Sequence, residues 1–224
     1  MSPEATSMNR STNVPLLIGA FLLGLFAIAW VGFGFIGTSS WLALGMTVAI
    51  AAVYLMGALE IRRFRSASTG LAQALAQLPQ PLNSLADWLA RVPAPLQNAV
   101  RQRVESGRGA LPGLSLTPYL IGLLVMLGML GTFLGMVVTF KGAVFALEGS
   151  ADLNAIRAAL AAPIKGLGLS FGTSVAGVAT SAMLGLMATL ARRERTQALR
   201  TLDVLAATTL HAFTPAHQRQ QSFA

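Results

Sequence analysis

A chain that crosses a bilayer must satisfy every backbone polar group internally, and as a helix it needs about 20 apolar residues to do so. The stretch Thr117 to Phe140, TPYLIGLLVMLGMLGTFLGMVVTF, carries no charge over about 24 residues and meets that demand. It predicts a transmembrane helix. Gly128, Thr132, Gly135, Thr139 and Gly142 recur in it at steps of four, three, four and three, so they share one helical face. The other faces are Leu, Met, Val and Phe. Small residues on one face let a second helix approach closely.

Composition extends this reading to the whole chain. Hydrophobic residues make up 54% and charged residues 11%, against about 25% charged in soluble domains. An all-α integral membrane protein follows. The formal charge of +8 then reports orientation before it reports nucleic acid, and no nucleic-acid partner is expected. The absence of cysteine excludes disulfides, thiolate metal sites and cysteine nucleophiles. No metal site or cofactor is expected. His211 and His217 lie in a polar tail without a matching acid or nucleophile, so enzymatic chemistry is not expected either.

In order along the chain, residues 1–13 are a polar N-terminus. Residues 14–59 form a hairpin of two spans, Val14 to Ile36 and Trp41 to Leu59, joined by the uncharged turn 37–40. The first apolar run is too long for a signal-peptide core and reads as retained. Trp30, Trp41 and Tyr54 lie toward span ends, where amphipathic rings favour the membrane interface. Residues 60–114 are polar and open on Arg62, Arg63 and Arg65. Short amphipathic patterns follow, Leu71-Leu75-Leu78 and Leu82-Leu85-Leu89, punctuated by Pro79, Pro81, Pro93 and Pro95. A segment of this size buries little core alone. It is expected to pack on a neighbouring subunit or on the extensions of the later spans. After the third span, 141–165 reads as an external connection holding a short helix at 153–162, capped by Asp152 and bracketed by Gly149 and Pro163. The fourth span runs from about Gly166 to Leu190 and ends on Arg192, Arg193 and Arg195. A helical extension carries on toward Pro215, and residues 201–224 form a tail whose abrupt polar end is compatible with a longer one cut short. The arginine clusters put both termini and 60–114 on one side, which the positive-inside rule assigns to the cytoplasm.

The fourth span repeats the design of the third. Gly166, Ser170, Thr173, Gly177, Thr180 and Leu184 fall on one face, widened by Ser174 and Ser181. Two readings stay open. The stripes serve close helix packing, with hydroxyls bonding back to their own helix, or they line an ion path. Neither span holds an Asp, Glu, His, Lys or Arg, the usual marks of a proton relay. A conducting role therefore needs a partner's carboxylate, with these hydroxyls along its path.

The third-span string Leu127 to Met136, LGMLGTFLGM, resembles the G-L-L-G-T-V-x-G-M signature of the MotA/TolQ/ExbB proton-channel family. Gly172 to Ala179, GTSVAGVA, resembles that family's A-T-A-x-G-L-x-x-A-I-P string. The resemblance covers about residues 115–200, with four spans in the MotA-like layout. It departs at Ala182, where the family has proline, and at Ala176, which aligns with the motif glycine. The cytoplasmic segment is short for a flagellar MotA. The resemblance implies a homopentameric ring around a dimer of a single-span MotB/TolR/ExbD-like subunit carrying a transmembrane Asp, in the bacterial inner membrane. It implies that Thr132 and Thr173 face that carboxylate; helical geometry adds Ser174, Thr139 and Thr180 to the path. Gly128, Gly131, Gly135 and Gly177 are assigned to helix packing. The rival readings are a structural membrane scaffold, whose stripes serve packing only, and a permease subunit, which lacks the charged or broken spans that often mark a substrate site.

Overall fold

A computed structural model describes the backbone of residues 3–36, 41–77, 85–106, 109–148 and 153–208. Side chains are described over 14–36, 41–77, 85–105, 109–142, 144 and 171–208. The elements are α1 (Pro3–Ile36), α2 (Trp41–Ala76), α3 (Leu85–Leu89), α4 (Ala94–Ser106), α5 (Thr117–Glu148) and α6 (Leu153–Thr208), with no strand among the described residues. Four of them, α1, α2, α5 and α6, are long and apolar enough to cross a membrane. The chain divides into two compact units, one built from residues 1–59 and 115–188, the other from 60–114 and 189–224.

In the first unit α6 is the central helix. Of its most apolar window 44% is buried, against 17% for α5 and 22% for α1 and α2. A Cβ on Gly172 would touch Val31 and Phe35 of α1, one on Gly57 of α2 would meet Leu184, and α5 lies against α6 at Gly128 and Gly177. Large apolar side chains cover the remaining surface, among them Phe26, Trp30, Phe33, Met126, Met129, Phe133 and Val175. Lipid or neighbouring helices satisfy such a surface; water does not.

Tyr54 departs from the sequence expectation. Trp30 and Trp41 are 73% and 83% exposed, as interface anchors should be, but Tyr54 is fully buried. Its Oη donates toward the Ala20 and Phe21 carbonyls of α1, at 3.3 and 3.2 Å. The ring reaches them because Gly24 has no Cβ to block it. A buried phenol needs a hydrogen-bond partner, and this one finds it inside the bundle rather than at the membrane edge.

The second unit builds the core that 60–114 lacks alone. Leu71, Ala74 and Leu75 of α2, Trp88 and Leu89 of α3, Val92, then Leu96, Val100 and Val104 of α4 bury against Ala198 and Leu202 of α6. Of the two expected supports for 60–114, the α6 extension is the one seen. Trp88 Nε1 donates to the Ala74 carbonyl at 2.9 Å and ties α3 to α2. Gly109 packs onto the backbone of α4, where a Cβ would sit 2.6 Å from the Ala99 carbonyl oxygen and 2.7 Å from the Arg103 amide. At the surface Arg103 grips Asp203 through Nε and Nη2, at 2.7 and 3.0 Å.

The helix boundaries bring two corrections. The separate helix expected at 153–162 is absent, because α6 runs unbroken from Leu153 through Pro163 to Thr208. Proline removes one backbone hydrogen bond but does not end a helix whose neighbouring amides have no better partner. Likewise α5 continues past Phe140 to Glu148. Asp152, Gly149, the turn 37–40, Leu78, Leu82, Pro79, Pro81 and the tail from 209 onward, with both histidines, lie outside the described residues.

Candidate functional site

The α5 stripe meets the α6 stripe at Gly128, within one chain, and Ile121, Leu124 and Gly131 make the rest of the α5 contact. A Cβ on Gly177 would lie 2.6 Å from the Leu124 carbonyl oxygen and 2.8 Å from Gly128 Cα. One on Gly128 would lie 3.2 Å from Gly177 Cα and from the Thr173 carbonyl oxygen. One on Gly131 would strike the Thr173 side chain at 2.7 Å. Ser181 Oγ donates across to the Ile121 carbonyl at 3.1 Å. Moving up α5 from Ile121 through Leu124 and Gly128 to Gly131 moves down α6 from Ser181 through Gly177 to Thr173, so the helices cross antiparallel. Helical stepping puts glycine where the two backbones touch, which is why they can touch.

This crossing sorts the residues singled out from the sequence. Thr173 and Thr180 are fully buried. Thr180 donates to the Ala176 carbonyl at 2.7 Å, a bond back to its own helix. Gly128, Gly131 and Gly177 are buried in the seam, while Gly135 is half-buried. Thr132, Thr139 and Ser174 are half-buried beside it. Thr132 Oγ1 donates to the Gly128 carbonyl at 3.0 Å, and Thr139 Oγ1 to the Gly135 carbonyl at 2.7 Å. A hydroxyl that has spent its proton on a carbonyl keeps oxygen lone pairs free to accept a hydrogen bond or to contact a cation. Phe133, Val137, Val138 and Phe140 are exposed on the rest of α5, so the accessible hydroxyl row sits among apolar side chains.

Within Thr117–Phe140 and Phe171–Ala191 there is no Asp, Glu, His, Lys or Arg. Among the described residues no cluster of His, Cys, Asp or Glu could hold a metal ion. These two stretches offer oxygens and close backbone contact, and no carboxylate, imidazole, amine or guanidinium.

Sequence reading grouped Arg195 with Arg192 and Arg193. Arg192 and Arg193 are exposed, whereas Arg195 is 6% exposed. Its guanidinium donates to Ser68 Oγ at 2.8 Å, to the Pro112 carbonyl at 3.1 Å and to the Phe64 carbonyl at 3.4 Å, and it stacks on the Phe64 ring at 4.1 Å. Burial lowers its pKa from the usual arginine value. Beside it, Arg65 and Glu194 form a two-pronged ion pair at 2.8 and 2.9 Å. The signal for Arg195 was present in the spacing. Leu184, Ala188, Ala191, Arg195, Ala198 and Leu202 step by four, three, four, three and four, and all are buried.

No family model, curated protein or solved structure matches the chain.

Proposed function

We propose that this protein is the channel-forming stator subunit of an ion-motive-force-driven membrane motor, with its α5–α6 hydroxyl row lining the path of a partner's transmembrane aspartate. The observation that carries the reading is the pairing of accessible Thr132, Thr139 and Ser174 hydroxyls with spans that have no charge of their own. Such a wall can receive a carboxyl group without trapping it in an ion pair: its hydroxyls accept from the protonated acid, and donate to the carboxylate once they rotate off their backbone carbonyls. The resemblance of both strings to the MotA/TolQ/ExbB family supports the same reading. It supplies the homopentameric ring, the single-span partner dimer and the bacterial inner membrane. The arginine distribution supports an orientation with both termini and residues 60–114 in the cytoplasm. A proton crossing 100 mV releases about 2.3 kcal/mol of electrical energy, enough to bias steps between similar states of a ring.

A second reading is a structural scaffold whose stripes serve packing only. It is favoured by one observation, the complete burial of Thr173 against Gly131. The threonines separate the two. Under the stator reading Thr132→Ala lowers ion-driven flux by about ten-fold or more, the scale of one lost hydrogen bond to a charged group, and leaves the subunit count unchanged. The measurement is native mass spectrometry and proton flux in proteoliposomes, with and without a neighbouring-gene product that has one span and an aspartate. Five copies around two partner helices, with flux sensitive to Thr132, is the expected result. A monomer or dimer indifferent to such a partner removes the stator reading and leaves the scaffold.

A further inference from the structure

The second unit pairs or buries some of its arginines and leaves four of the others concentrated at one level. Arg65 is held by Glu194, Arg101 by Glu105 and Arg103 by Asp203, while Arg195 is buried among neutral acceptors. Arg62, Arg63, Arg192 and Arg193 are exposed and have no ion-pair partner among the described residues. The Arg65–Glu194 pair and the Arg195–Phe64 contact hold α2 and α6 side by side at residues 64–65 and 194–195. Each free pair lies within about one turn, roughly 5 Å, of these contacts. The four cations therefore sit at one level on two adjacent helices. That level is also close to the ends of the apolar spans. Leu59 precedes Arg62 by three residues within α2, and Leu190 precedes Arg192 by two within α6, about 3–5 Å of helix rise.

The structure assigns this four-arginine rim as a binding site for anionic phospholipid headgroups of the membrane that the helices cross. Guanidinium groups bind phosphate oxygens in a fork. A cluster of four or more immediately beyond a membrane helix attracts acidic lipid. Positive charge kept only for orientation needs no common level and no freedom from counter-ions. Glu194, Glu105 and Asp203 are engaged with Arg65, Arg101 and Arg103 rather than with the rim. Arg91 and Arg200 are also exposed and unpaired among the described residues. They lie farther from the spans. The Trp88–Ala74 hydrogen bond puts α3, which precedes Arg91, beside a residue 15 positions beyond Leu59, about 22 Å of helix.

The test is retention of phosphatidylglycerol and phosphatidylethanolamine by the full-length protein in native mass spectrometry. Four samples are compared: wild type, R62Q/R63Q, R192Q/R193Q and the control R91Q/R200Q. Wild type is expected to retain the anionic lipid preferentially. Each rim arginine removed should weaken that affinity about five-fold, and the control should match wild type. Inorganic phosphate at equal concentration should not displace the lipid. Equal retention of the two lipids, or equal losses in the rim and control variants, overturns the site. So does displacement by free phosphate, which would mark a soluble-anion site instead. Each rim variant carries its own expected loss, so the test stands should one of them fail to fold.

Discussion

Gly177→Ala is expected to lower the unfolding free energy by about 1–3 kcal/mol, although alanine is the better helix former by about 1 kcal/mol. The added methyl meets backbone on three counts, the Leu124 carbonyl oxygen at 2.6 Å and Gly128 Cα and N at 2.8 and 3.1 Å. None of these atoms can rotate away, so α5 must move off α6. Gly177→Val enlarges the displaced volume and should abolish the crossing. Gly131→Ala is gentler, because the atoms it meets belong to the Thr173 side chain. Combining it with Thr173→Ala should recover part of the loss, a coupling expected of residues in contact. Gly122→Ala, with nothing within 4 Å of the new methyl, is the reference and should be neutral or slightly stabilising. Thermal unfolding in detergent reads all five variants. A Gly177→Ala protein as stable as Gly122→Ala would show that the two backbones are not in contact.

Arg195→Ala should cost about 2–4 kcal/mol, the scale for losing several charge-assisted hydrogen bonds at a buried site. The guanidinium joins Phe64 and Ser68 of α2 to Pro112 in the segment leading to α5. Arg195→Lys should recover little, because an ammonium on a flexible stem lacks the planar fork and the stacking on Phe64. Arg192→Ala, at an exposed position three residues earlier, should stay within about 0.5 kcal/mol. Chemical denaturation, with limited proteolysis around residues 109–116, separates the sites. Proteolysis should accelerate in Arg195→Ala and stay at the wild-type rate in Arg192→Ala. Equal stability of the two variants would reduce Arg195 to a spectator.

Both predictions concern contacts that spacing alone half-revealed. The four apolar runs are visible in the string because bilayer thickness imposes a length and lipid excludes charge, and both demands act on each residue separately. The stripes on α5 and α6 are visible for a similar reason, since helical periodicity is a local property. What a stripe faces is not local. Thr173 and Thr132 look alike in sequence, yet one is sealed against Gly131 and the other stands half-open beside the crossing. That difference is set by where the partner backbone lies. Tyr54 reads as an interface ring and is buried, because Gly24, 30 positions earlier, leaves it room. Arg195 reads as one of three basic exit residues and is the buried one. Its place in a four-three stripe was legible, but the carbonyls that receive it come from two other segments. The breadth of α6, continuous through Pro163, was hidden because proline's local rule assumes that water can satisfy the carbonyl it leaves without a donor. Composition and period thus decide which segments are helices and which of them suit a membrane. Which face is closed, which arginine is paired and which hydroxyl is reachable are decided only when distant segments pack, since each depends on atoms the local chain does not contain.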